Sequence, residues 1–227
     1  MTRRDKTTRI RMAGAVVLVV SAVQWVVAEA VTAAAWTDPP YSYASHYISD
    51  LGVAVCGVRF QGREICSPTH SLMNASFAVE GILFAIGVVL LSRIATGRAR
   101  RLFVALAVAH GVGMVLVGVF HGSADGPRVG LVVHVVAAAV GILCANLVAI
   151  MAGALRSLGL PPAYRVFSVA VGSLGLLSEV FVGASASTAG VFERGGVYSW
   201  LLWSLVTGVL LPAGALRRPA VAERVAA

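Results

Sequence analysis

Apolar residues come in blocks of about twenty, separated by short polar punctuation, and this rhythm predicts the fold before any single residue does. The blocks cover residues 12–35, 70–92, 102–120, 129–152, 164–188 and 196–216. Each is long enough to cross the ~30 Å hydrocarbon core of a bilayer as an α-helix. Between them lie Asp38-Pro39-Pro40, the arginine run from Arg93 to Arg101, Gly126-Pro127, Pro161-Pro162 and Gly195-Gly196. Gly and Pro end helices for backbone reasons. The pattern predicts an all-α polytopic membrane protein: one domain over 1–227, folded as a six-transmembrane-helix bundle.

Composition agrees. Hydrophobic residues make up 58% of the 227 positions and charged residues 12%, against about 25% charge in a soluble domain. The net charge of +8 raises a nucleic-acid reading, but the basic residues fall in alternate loops and form no single basic face. Nucleic acid is excluded as a partner on that ground, and the lipid bilayer takes its place.

The same distribution predicts orientation, because short cytoplasmic loops of membrane proteins are rich in Lys and Arg. Fourteen of the 18 basic residues lie on one side: Arg3, Arg4, Lys6, Arg9, Arg11, Arg93, Arg98, Arg100, Arg101, Arg156, Arg165, Arg217, Arg218 and Arg224. Arg59, Arg63, Arg128 and Arg194 lie on the other, offset by Asp38, Asp50, Glu64, Asp125 and Glu193. Both termini are therefore expected in the cytoplasm. The Ala/Val/Gly/Arg vocabulary suggests a high-GC bacterial genome, and so a bacterial cytoplasmic (inner) membrane. A competing reading takes the basic start, the first apolar block and Ala28-Glu29-Ala30 as a cleaved signal peptide. That would leave five spans with unchanged sidedness.

Four of the five histidines, His46, His70, His121 and His134, fall at or near the outward end of the blocks, beside Asp50, Asp125 and Glu193. The long polar stretch 37–69 holds Tyr41, Tyr43, His46, Tyr47, Ser49 and Asp50. A helix over Ser45–Leu51 would put His46, Ser49 and Asp50 on one face. The alternative is an interfacial segment whose tyrosines sit at headgroup level. Cys56 and Cys66 face an oxidising side, where a disulfide is the expected use. C-x9-C is no defensible zinc spacing, and Cys144 reads as a small buried residue.

Ionisable groups inside a span are costly and are functional candidates for that reason. Glu80 and His110 fall near the bilayer centre; Glu29, His134 and Glu179 fall in the outer half, with Gln24, Asn74 and Asn146 as neutral companions. No Lys or Arg lies at that depth, so a buried Glu–His pair or protonated carboxyls are expected. Helical spacing puts His110 and His121 on one face of the third span, and His70 with Asn74 on one face of the second. Small-residue stripes run through Ser168, Gly172, Gly175 and Glu179, and from His134 through Ala138, Gly141 and Ala145. Such stripes let helices approach closely, so both point into the bundle.

The run His46-Tyr-Ile-Ser-Asp-Leu-Gly52, after an aromatic and Pro-containing approach, resembles the family called domain of unknown function 998. So does Gly190-Val-Phe-Glu193-Arg194-Gly-Gly before the last span. The likeness covers most of the chain in span count and motif order. It implies a prokaryotic multi-pass membrane protein and picks out Ser49, Asp50, Glu193 and Arg194, with no reaction attached. One departure is Phe120-His121, where the resemblance leads one to expect Phe-Pro.

Three functions are open on these residues. The first is an outward-facing acid/histidine pocket holding a lipid headgroup, a small ligand, or a cation or proton. Its lining would come from His46, Ser49, Asp50, His70, Asn74, Glu80, His110, His134, Glu179, Glu193 and Arg194. The second is a metal-dependent intramembrane hydrolase acting on a lipid or amide, with zinc held among His46, Asp50, His70, His121, His134 and Asp125. No HxxxH or HExxH supports it. The third is a non-catalytic assembly or accessory protein in which Asp50 and Glu193–Arg194 form structural ion pairs. Phosphate-binding loops and a nucleophile elbow are absent.

Overall fold

The computed structural model describes residues 3–60, 63–122 and 128–216. Asp125, the Gly126-Pro127 break and the basic tail Arg217, Arg218 and Arg224 lie outside the described residues. Six helices appear in chain order: α1 (Arg3–Ala35), α2 (His70–Leu91), α3 (Gly97–Val119), α4 (Arg128–Ala154), α5 (Pro162–Val180) and α6 (Ala189–Leu210). Each packs on its sequence neighbours, and α1 closes the ring against α6. Beyond the long α1–α2 connection, the short links make this the natural order for antiparallel helices.

Five of these helices, all but α6, are long and apolar enough to cross a membrane. Their outer surfaces fit that role. On α1 the exposed positions include Val16, Val20, Val23, Val27 and Val31, and on α4 Val129, Val132 and Val136. Hydrocarbon cannot satisfy backbone groups, so helices that bond internally are the form such sequences take. α6 falls short because its first two turns carry Glu193, Arg194, Gly195 and Gly196.

The last two elements differ from expectation. α5 ends at Val180 and α6 begins at Ala189, so Gly195 and Gly196 sit inside a helix. Their job is close packing. A Cβ on Gly195 would collide with the Ser178 hydroxyl, and one on Gly196 with the Glu179 carboxylate. The gain from bringing α5 and α6 together outweighs the ~1 kcal/mol helix penalty of a glycine.

The long connection after α1 also departs from an all-α chain. It contains a 3-10 turn at Ser49–Gly52 and an antiparallel hairpin of β1 (Val58–Phe60) and β2 (Arg63–Ile65), with Val58 opposite Ile65. The Cys56–Cys66 disulfide staples the hairpin at its base. The segment 45–51 is not a helix, because side chains capture its backbone groups. The Ser42 N–H donates to His46 Nδ1, and the Tyr47 N–H to Asp50 Oδ2.

Candidate functional site

The polar residues separate into three groups. Deepest is Glu80 on α2 with His110 on α3, both 0% exposed. His110 Nε2 lies 2.9 Å from Glu80 Oε2, and its Nδ1 lies 2.9 Å from the Gly141 carbonyl. A carbonyl only accepts, so Nδ1 carries a proton, and one further proton is shared between Nε2 and the carboxylate. Trp200 Nε1–H donates to Glu80 Oε1 at 3.1 Å, and the Ser21 hydroxyl donates to the same carboxylate. Phe84 and Trp200 pack on the imidazole at ring distances of 4.4 and 5.4 Å. The pair therefore carries no net charge in an apolar shell, and its hydrogen-bonding atoms are engaged.

The second group fastens the loop to the bundle. Arg194 Nε donates to Glu29 Oε1 at 3.0 Å, and Nη1 donates to the carbonyls of Tyr43, His46 and Gly190. Nη2 donates to the Tyr41 hydroxyl, which in turn donates to the Tyr47 carbonyl at 2.9 Å. Glu29 accepts a further hydrogen bond from Trp25 Nε1. The partner of Arg194 is thus Glu29 and not its neighbour Glu193. Successive helical residues point about 100° apart, so adjacent side chains on one helix do not face each other. Burial raises the Tyr41 phenol above its ordinary range, against the lowering effect of the Arg194 charge.

A similar clamp holds the hairpin. Arg63 Nε donates to Asp50 Oδ2 at 2.9 Å, both side chains nearly buried, with the guanidinium 4.2 Å above the Tyr47 ring. His46 packs between Trp36 and Tyr41, and its Nε2 meets the Glu64 carbonyl. His70 Nδ1 meets the Ser67 carbonyl, and Asn74 Nδ2 donates to the Gly52 carbonyl at 2.8 Å. These three residues sit beside the loop as its fasteners.

The third group lines a cavity of about 290 Å³ at the loop end, bounded by α4, the end of α5, the start of α6 and the 3-10 turn. Ser49, Asp50, His134, Glu179 and Glu193 all reach it, together with Tyr47. They are brought together from four separate elements. Asp50 is committed to Arg63, and Glu193 Oε2 accepts the Ile48 N–H. Glu179 Oε1 is buried with no hydrogen-bond partner among the described residues. His134 is 5% exposed, and its Nδ1 lies 2.6 Å from the Phe120 carbonyl, so Nδ1 carries the proton. In the neutral ring Nε2 is then an acceptor. Among the described residues, the cavity lining contains no Lys or Arg.

The remaining candidates do not join this cavity. His46, His70, Asn74, Glu80, His110 and Arg194 are placed elsewhere, in the first two groups. α3 ends at Val119, so His121 lies beyond the helix and shares no face with His110. Among the described residues, no three His, Cys, Asp or Glu side chains come together to hold a metal ion. The proposed zinc set of His46, Asp50, His70, His121 and His134 is therefore scattered. The contribution of Trp200 had no signal in the sequence pattern, and Arg63 and Tyr41 were legible only as an outer-side charge and an aromatic-belt residue, since each acts through a distant partner. Tyr47 was legible only as an aromatic-belt residue.

Fold and surface together define a helical-bundle protein suited to a lipid bilayer, with a polar cavity set at the end that carries the long loop. The chain belongs to the family described as Protein of unknown function (DUF998), whose profile matches residues 18–210. No curated protein and no solved structure matches it.

Proposed function

We propose that this is a six-span ligand-binding protein of a bacterial cytoplasmic membrane. Its loop end faces outward, and its cavity holds the donor-bearing group of a lipid headgroup, small amine or cation. One observation carries the reading: acidic side chains and a histidine line the cavity, with no Lys or Arg among its described lining residues. Glu179, Glu193 and His134 all line it, and a further acid there, Asp50, is held by Arg63. A ligand that supplies N–H donors and positive charge would satisfy them, whereas an anion would meet like charge.

Sidedness is supported from two directions. The Lys/Arg bias favours cytoplasmic termini, and the Cys56–Cys66 disulfide suits an oxidising exterior. A second, non-catalytic reading draws support from the Arg194–Glu29 and Arg63–Asp50 clamps, which tie loop to bundle and need no ligand.

The test is a titration of protein in phosphatidylcholine nanodiscs with alkylammonium probes, from methylammonium to dodecylammonium. At least one should bind saturably, and Glu179→Gln should weaken it tenfold or more. No saturable binding across the series, or equal binding by the variant, rejects the proposal in favour of the scaffold reading.

A further inference from the structure

The cavity has a side entrance. α4 and α5 are pressed together toward the 155–161 turn. A Cβ on Gly172 would lie 2.7 Å from the Asn146 carbonyl, and one on Gly153 would collide with that of Arg165. Nearer the loop end the two helices part around the cavity. There Leu131, Val135 and Ala139, one helical turn apart from each other, line it from α4, while Glu179 and Val182 line it opposite. Val135 is nevertheless 56% exposed on the outer surface, and Ala139 is exposed as well. Across the gap Val180 and Phe181 are exposed too. One apolar stripe thus borders both the cavity and the surrounding lipid, so the cavity wall is open between α4 and α5.

We infer that the ligand is a membrane-borne primary-amine amphiphile, whose ammonium docks among Glu179, Glu193 and His134 while its chain leaves through the α4–α5 cleft. This rests on the pocket reading above and adds the ligand's class and route. The donor count selects the headgroup. A primary ammonium carries three N–H donors to offer Glu179, Glu193 and His134, which line the cavity. A quaternary ammonium has no donor to offer. The cleft selects the tail, because Leu131, Val135 and Ala139 present only hydrocarbon along the exit path.

The experiment uses the full chain in phosphatidylcholine nanodiscs and a dodecylamine carrying a diazirine in its chain. Photolabelling should concentrate on residues 131–142 of α4. It should fall at least tenfold in Glu179→Gln/Glu193→Gln protein, and comparably in Val135→Trp/Ala139→Trp protein, which blocks the cleft but spares the acidic groups. Dodecyltrimethylammonium and dodecanoate should fail to compete. Labelling spread over all lipid-facing helices regardless of headgroup overturns the inference. If ethylammonium competes at the same concentration as dodecylamine and cleft blocking has no effect, the pocket reading survives and the lipid route is overturned. If no amine competes, both fall.

Discussion

Glu80 and Glu179 are both carboxylates carried on apolar helices, and they end in opposite circumstances. Glu80 is surrounded by donors from three other helices: Ser21 of α1, His110 of α3 and Trp200 of α6. Glu179 lies against Gly196 at the rim of a cavity, with one buried oxygen that has no partner among the described residues. Burying a charged or polar group costs several kcal/mol unless its partners replace the water it loses. Where the replacement is complete, as around Glu80, the arrangement is architectural. Glu179 instead lines an open cavity, where its side chain is available to a ligand.

Four outcomes would break or sharpen that contrast, beginning with the largest effect. Arg194→Gln removes the centre of the loop clamp and leaves Glu29 buried without its cation, so unfolding in detergent should show a loss of about 3–5 kcal/mol. An unfolding midpoint unchanged from wild type would mean that the clamp is idle. Next, the same substitution at the two carboxylates should separate them. Glu80→Leu strands the His110 and Trp200 donors and should cost about 3 kcal/mol, from about 1–3 per unsatisfied buried group. Glu80→Gln should restore most of this, since a neutral His110 can accept from the amide. Glu179→Leu should stay within about 0.5 kcal/mol of wild type or stabilise the fold. Equal losses at 80 and 179 would erase the distinction.

Replacing Cys56 and Cys66 by Ser should cost about 2–3 kcal/mol in the chain-entropy account of so short a loop. The difference between wild type and variant should vanish when both unfold in reductant. The smallest effect concerns pH. The Tyr41 phenol is raised above its usual value by burial, so the unfolded chain ionises first as pH climbs. Stability from this group is complete below about pH 10 and declines above it. A Tyr41→Phe variant should have a shallower loss of stability between neutral and strongly alkaline pH, and an identical slope would contradict the assignment.

Much of the architecture was legible in the sequence because lipid leaves few choices. Apolar blocks of the right length must be helices, and α2, α3 and α4 begin and end within a few residues of the expected positions. The stripe Ser168–Gly172–Gly175 does face the bundle, as small residues at helical spacing imply. The failures arise where tertiary contacts override local rules. Gly195-Gly196 reads as a break until Ser178 and Glu179 are seen packed against it. His46 and Asp50 look like one helical face, but each is drawn to a different partner once side chains have captured the backbone between them. The hairpin at 58–65 is too short to announce itself. Ser49, Asp50, His134, Glu179 and Glu193 were each visible as polar residues in apolar surroundings. That they share one cavity, and that Glu80 and His110 do not, depends on packing that no spacing along the chain records.

The central claim is that the acid-lined cavity, not the satisfied Glu80 cluster, is the binding site. Its most direct test is thermal unfolding of wild-type and Glu179→Gln protein in nanodiscs, with and without dodecylamine. A ligand that binds only the folded state raises the midpoint. The account predicts a clear rise for wild type and little or none for the variant, with both unfolding alike in the absence of amine. An equal rise in both proteins, or no rise in either, would contradict it.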